Sequence, residues 1–63
     1  TEKDFSAKMS IAYKEARETR YWLRLLRDCD LIDNKISNSF LQDVEELIRI
    51  SGSIIKTVKQ KNR

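Results

Sequence analysis

Arginine and aromatic side chains alternate along one stretch of the sequence, EARETRYWLRLLRDCDLI, at residues 15–32. Guanidinium groups donate paired hydrogen bonds to phosphates, and exposed aromatic rings stack on nucleic-acid bases. The residues of this stretch that could contact RNA or another partner are Arg17, Arg20, Tyr21, Arg24 and Arg27. The same mixture is also typical of one helix in a helical bundle, where long arginine side chains cover an apolar seam. Both interpretations are open at this point.

A second group of basic residues follows the last acidic residue, Glu46. The whole chain has 13 basic and 10 acidic residues, and its net charge of +3 does not by itself indicate nucleic-acid binding. Cations near the C-terminus of a helix offset the helix dipole, and this explanation competes with a role in RNA contact. The residues of this group that could contact RNA are Lys56, Lys59, Lys61 and Arg63.

The sequence lacks the residue combinations that are typical of catalytic and metal sites. It has no histidine and one cysteine, Cys29, which excludes a zinc site of nitrogen and sulfur ligands within one chain. Its single glycine excludes a glycine-rich phosphate loop. We therefore predict that the protein is not an enzyme and has no cofactor and no small-molecule substrate.

The composition predicts an almost wholly helical chain, because the 63 residues include no proline and one glycine. We expect no signal peptide, and no apolar run of this sequence approaches the ~18 residues that a membrane-spanning helix needs. An unpaired cysteine fits a reducing compartment. We expect a soluble, cytoplasmic protein with no membrane partner. Because the chain starts at Thr1 rather than methionine, we also expect it to be a trimmed or processed part of a longer protein.

The first helix is predicted at about residues 3–29. Between Phe5 and Leu26, residues of a heptad seam recur at alternating spacings of four and three. Further apolar residues widen this seam on one side, as expected for a helix that packs against two or more neighbours. The predicted core residues of this helix are Phe5, Met9, Trp22, Leu23 and Leu26.

The second helix is predicted at about residues 37–61, after a turn rich in aspartate and asparagine at 30–36. Ser39 and Gln42 match the pattern of a capping box at its start. Gly52 lies near its middle, but the apolar rows keep their phase across it, which predicts a continuous helix. The predicted core residues of this helix are Phe40, Val44, Leu47 and Ile54.

These two helices predict an all-α fold, an antiparallel helical hairpin that forms a single domain over residues 1–63. A domain of ~60 residues buries only ~60% of its unfolded surface, and a hairpin with wide apolar stripes needs further helices to cover them. We therefore predict part of an up-down four-helix bundle, completed by a second hairpin or by a preceding pair of helices. Homo-oligomerisation is the expected partner interaction.

Three charged residues of the first helix, Lys8, Glu15 and Glu18, fall within or beside its apolar arc. Burying an unpaired charge is costly, so we expect each to pair with a polar group on a neighbouring helix and to fix the register of packing. A catalytic pair formed by Glu15 and Glu18 is the other interpretation. The lack of a histidine, metal ligands or an activated nucleophile argues against it.

The sequence also resembles a known protein family in two segments. AYKEARETRYWLRLL at residues 12–26, preceded by DFSAKMSI and followed by EELIRISGSIIKT at 45–57, is similar to four-helix-bundle proteins encoded by intervening sequences within bacterial 23S rRNA genes. The resemblance covers nearly the whole chain but about half of the family's usual length. It implies that the chain is the C-terminal hairpin of such a protein.

The resemblance implies an up-down bundle that assembles into ring-like homo-oligomers, often pentamers. A structurally similar relative, the accessory protein of diversity-generating retroelements, is a basic pentameric bundle that binds nucleic acid and a reverse transcriptase. By analogy, the arginine-bearing edge could bind RNA or an RNA–protein complex. The alternative is a purely protein-interaction module, whose arginines pair with acids of adjacent subunits, namely Asp43, Glu45 and Glu46.

Overall fold

The chain forms two α-helices joined by a short turn in the computed structural model, which describes residues 1–61. The first helix, α1, spans Glu2–Asp28, and the second, α2, spans Asn34–Lys61. They pack side by side in opposite directions and form a rod with Cα extents of 46 × 14 × 14 Å. The prediction of an all-helical hairpin is confirmed, and α2 runs without a break through Gly52 as predicted. The predicted contact residue Arg63 lies outside the described residues.

The start of α2 lies three residues earlier than the sequence pattern predicts. The Asp33 side chain caps this helix, because its Oδ1 accepts hydrogen bonds from the backbone amides of Lys35 at 2.7 Å and Ile36 at 3.2 Å. Ser39 lies more than one turn inside the helix, where its amide already has a helical partner. The predicted capping box of Ser39 and Gln42 is therefore wrong.

The end of α1 is closed by a Schellman motif. The Leu31 amide donates to the carbonyl of Leu26 at 2.9 Å, and the Asp30 amide donates to the carbonyl of Arg27 at 3.0 Å. This geometry requires a left-handed residue, and Asp30 fills the position with a φ of 58°. Cys29 is the C-cap and is exposed, so it is not a core residue of the hairpin.

The contact between the helices follows a heptad row on each of them, with alternating spacings of three and four. On α1 the buried and half-buried residues of this row are Ser6, Met9, Tyr13, Ala16, Arg20, Leu23 and Arg27. On α2 they are Ser37, Leu41, Val44, Ile48, Ser51, Ile55 and Val58. The most deeply buried residues are small or aliphatic, namely Ala16, Ser37, Leu41 and Ser51.

The two buried serines need no partner from the opposite helix. Ser51 Oγ donates to the carbonyl of Leu47 at 2.7 Å, and Ser37 Oγ donates to the carbonyl of Asn34 at 3.1 Å. Such bonds to the preceding turn satisfy the hydroxyl inside its own helix. The centre of the interface therefore buries small side chains with no unpaired polar atom among the described residues.

The predicted core is only partly covered by this contact. Five predicted core residues are half-buried, namely Met9, Leu23, Leu26, Val44 and Ile54. Four are 42–57% exposed, namely Phe5, Trp22, Phe40 and Leu47. The heptad pattern marks the whole apolar arc of each helix, whereas a single partner helix covers only one edge of that arc. The burial of these four side chains by further helices stays a prediction.

Neither described helix combines the length and the hydropathy that a membrane crossing requires.

Candidate functional site

The hairpin has two long faces of different chemistry, one on each side of the helix–helix contact. We call one of them the apolar face, which consists of Phe5, Leu26, Ile36, Phe40 and Leu47. We call the opposite one the basic face, which consists of Lys14, Arg17, Arg20, Arg24, Lys56 and Lys59. Residues that are three, four or seven apart share one side of a helix, which places the members of each face together.

Tyr13 lies at the centre of the basic face, half-buried between the helices. The guanidinium carbon of Arg17, one turn further along α1, lies 5.7 Å from the centroid of the Tyr13 ring. This distance is within the range of a cation–π interaction. On the opposite helix, a Cβ atom at Gly52 would lie 3.9 Å from Tyr13 Cζ. Tyr13 therefore lies beside Gly52 of α2, at a distance that would also admit a methyl group, and Arg17 covers the ring from the side of α1.

A shallow groove of about 540 Å³ runs along α1 on this side. Its lining includes four basic residues, Lys14, Arg17, Arg20 and Arg24, and one acidic residue, Glu18. Three aromatic rings also line it, namely Tyr13, Tyr21 and Trp22. Residues 15–32 therefore supply most of the side chains that line this groove.

A second groove, of about 340 Å³, lies along α2 and is lined by Gly52, Ile55, Lys56, Lys59 and Gln60. Gly52 lines this groove, and it lies opposite Tyr13, which lines the groove of α1. Two lysines of the predicted basic tail thereby join the arginines of α1 on one face. Lys61 is exposed at the end of α2 and lines neither groove.

Two of the predicted arginines are tied to polar groups of the same chain. Arg24 Nη2 lies 3.1 Å from Glu45 Oε1, and both side chains are half exposed. Arg27 Nη1 donates to Asn38 Oδ1 at 3.0 Å, and its Nε lies 3.2 Å from Asp28 Oδ1. The bonds from Arg24 to Glu45 and from Arg27 to Asn38 link α1 to α2, whereas the pair of Arg27 and Asp28 lies within α1.

Arg17 and Arg20 form no ion pair within residues 1–61, so their charges are available to an external anion. Arg20 is half-buried in the interface row, and its head group reaches the groove of α1. Of the four arginines in residues 15–32, two therefore have a polar partner in the same chain and two form no ion pair within residues 1–61.

Lys8, Glu15 and Glu18 are exposed, and their side chains form no ion pair or hydrogen bond within the described part of the chain. The physical reason is their position, because they lie on sides of α1 that α2 does not cover. Pairing of these three residues with a helix outside this hairpin stays a prediction. The structure brings no catalytic or metal-binding group to Glu15 or Glu18, and residues 1–61 contain no cluster of metal-binding side chains.

Tyr21 is 61% exposed, and its ring meets the ring of Trp22 edge to face, with centroids 5.4 Å apart and an interplanar angle of 79°. The contact of Tyr13 with Gly52 was not apparent from the sequence pattern, which does not give the register between the two helices. The signal that identifies the pair is the register of the hairpin, because a short turn places residue 52 opposite residue 13.

A family model described as 23S rRNA-intervening sequence protein matches residues 1–53, which contain all of α1 and most of α2. No curated protein matches the chain. No solved structure matches it either.

Proposed function

Because this chain belongs to the family of 23S rRNA-intervening sequence proteins, we propose that it is a non-enzymatic helical protein that binds RNA through its basic face. The family description refers to an insertion in an rRNA gene and not to a binding activity. The support for RNA binding therefore comes from the hairpin. We further propose that it acts in the bacterial cytoplasm, as the family resemblance implies.

The observation that carries the proposal is the separation of charge between the two faces of the hairpin. Arg17 is packed against Tyr13 and has no acidic partner within residues 1–61, and Lys14, Lys56 and Lys59 line the grooves on either side of this pair. The carboxylate of Glu45 is taken up by Arg24. Clustered lysine and arginine head groups bind phosphates and release counterions, which gives affinity that depends on salt and little on base sequence.

The apolar face supports a second part of the proposal, which is assembly. Phe5, Phe40 and Leu47 are 42–54% exposed, and large apolar side chains exposed on one face are typical of an interface. We propose that further helices cover it and complete an up-down four-helix bundle, supplied by a second copy of the chain or by two preceding helices. Assembly into a larger homo-oligomer, such as the pentamer that the family resemblance implies, leaves the basic face on the outside.

An assembly module without nucleic-acid binding is the second candidate function. It is favoured by the ion pair between Arg24 and Glu45, because this pair shows that arginines of α1 already serve to hold helices together. Under this candidate, Arg17 and Arg20 would meet acidic side chains of a neighbouring subunit instead of phosphates.

Fluorescence anisotropy of a labelled RNA, measured with the full chain between about 50 and 200 mM salt, distinguishes the two candidates. The test variant combines Arg17→Gln and Lys56→Gln on the basic face. The matched control combines Lys8→Gln and Lys35→Gln, which removes the same two charges from exposed positions that line neither groove.

We expect wild-type affinity to fall steeply as salt is raised. The test variant should bind more weakly, and its slope of log affinity against log salt should be smaller by about two, one for each lost phosphate contact. The control variant should keep the wild-type slope. Failure of the wild-type chain to bind RNA at low salt would leave only the assembly module. An equal loss in both variants would show that net charge alone attracts the RNA.

A further inference from the structure

Tyr21 presents an uncovered aromatic ring within the groove of α1, and we propose that this ring stacks on an unpaired base. The basic face then prefers single-stranded RNA to a duplex of the same sequence. This inference rests on the proposed function, since it specifies which form of RNA the basic face binds.

The first observation is the exposure and support of the ring. Tyr21 is 61% exposed, and Trp22 contacts it only edge to face, at a centroid distance of 5.4 Å and an interplanar angle of 79°. An edge-to-face contact fixes the orientation of a ring without covering both of its faces. Tyr21 therefore offers a flat apolar surface that is held in place before any ligand binds.

The second observation is the order of charges along the helix. Lys14 and Arg17 precede Tyr21 by seven and four residues, and Arg24 follows it by three, so all four side chains share one side of α1. At 1.5 Å per residue, the row from Lys14 to Arg24 extends about 15 Å. A base stacked on Tyr21 would have Lys14 and Arg17 on one side along the helix, where a flanking phosphate of the same strand would pass. On the other side it would have Arg24, which also contacts Glu45.

The third observation is that aromatic and basic side chains line the same groove of α1. Its volume of about 540 Å³ lies within the usual range for small-molecule sites, and its lining combines three aromatic rings with four basic residues. Proteins that bind single strands combine such rings with positive charge, because every base has a face that can stack. In a duplex the bases are already stacked on each other, so a duplex could use the cations of the groove but not the ring.

The test compares a single-stranded oligonucleotide of about 12 nucleotides with its duplex, at equal salt, using the full chain and anisotropy. Wild-type protein should bind the single strand more tightly. Tyr21→Leu should lower single-strand affinity ~5- to 100-fold, the range for loss of one base–aromatic stack, with no change in the salt slope or in duplex affinity. Tyr21→Phe is the matched control and should retain the wild-type preference, because its ring stacks equally well.

Equal wild-type affinity for single strand and duplex would overturn the stacking proposal, and this comparison needs no variant. Unchanged single-strand affinity in a folded Tyr21→Leu protein, checked by circular dichroism, would overturn it as well. In either case salt-dependent RNA binding would persist and the proposed function would stand. If neither form of RNA binds at low salt, the proposed function and this inference fail together.

Discussion

Replacing Gly52 with alanine should make the protein more stable, although this glycine lies where the two helices meet. Gly52 is helical and half-buried, and its φ is not positive, so an alanine can adopt the same backbone conformation without strain. The added methyl group would lie 3.9 Å from Tyr13 Cζ and 4.0 Å from Tyr13 Cε2, which are ordinary van der Waals distances. No neighbouring atom has to move to admit it.

The expected gain follows from helix propensity. Glycine in a helix interior is about 0.8–1.0 kcal/mol less favourable than alanine, because its backbone loses more freedom on folding. The methyl group adds a small term from its contact with the Tyr13 ring. We therefore expect the free energy of unfolding to rise by about 1 kcal/mol, which corresponds to ~4–8 °C in Tm for a domain of this size.

Urea unfolding followed by circular dichroism measures this change, with the protein concentration held constant because assembly would couple to stability. Ser53→Ala is the matched control, since Ser53 is the exposed neighbour in the same turn of α2 and has a better helix propensity than glycine. Its gain should be smaller than that of Gly52→Ala. A loss of stability in Gly52→Ala would refute the reasoning, because it would mean that the helices approach more closely at this point than the structure shows.

Three further substitutions test the caps and the charges of the hairpin. Asp33→Ala should lower the free energy of unfolding by about 1 kcal/mol in urea unfolding, since two amides of α2 lose their acceptor, and an unchanged value would argue against this cap. Asp30→Gly should raise it by ~0.5–1 kcal/mol, because φ of 58° costs glycine no steric strain, and a loss would contradict the Schellman geometry. Glu45→Gln should increase RNA affinity in anisotropy by about two- to fivefold by freeing Arg24, with a stability change below ~1 kcal/mol. Weaker binding would contradict the idea that this ion pair keeps Arg24 from the RNA.

The helical nature of the chain, the position of the turn and the continuity of α2 through Gly52 could be predicted from local signals. The near absence of helix-breaking residues and the heptad spacing are properties of each segment alone. The family could also be identified from residue strings such as ETRYWL in α1, and the family model confirms that identification.

The packing row could not be predicted from the sequence, because both helices carry apolar residues over an arc wider than one neighbour covers. The heptad seam predicted from the sequence and the observed contact row share Met9, Ala16 and Leu23. The seam otherwise runs through Phe5 and Leu26, whereas the contact with α2 runs through Tyr13 and Arg20. The choice among adjacent rows depends on interactions between distant residues, such as the bond from Arg24 to Glu45. The same dependence on register explains why the contact of Tyr13 with Gly52 emerges only from the folded hairpin.

The position of bound RNA on the hairpin tests the proposed function most directly. Backbone amide shifts of the ¹⁵N-labelled full chain, followed during titration with a single-stranded RNA at low salt, report that position residue by residue. We predict the largest changes at Lys14, Arg17, Gly52 and Lys56, with the amides around Phe40 unchanged. Changes concentrated around Phe40 on the apolar face, or no change at saturating RNA, would contradict binding through the basic face.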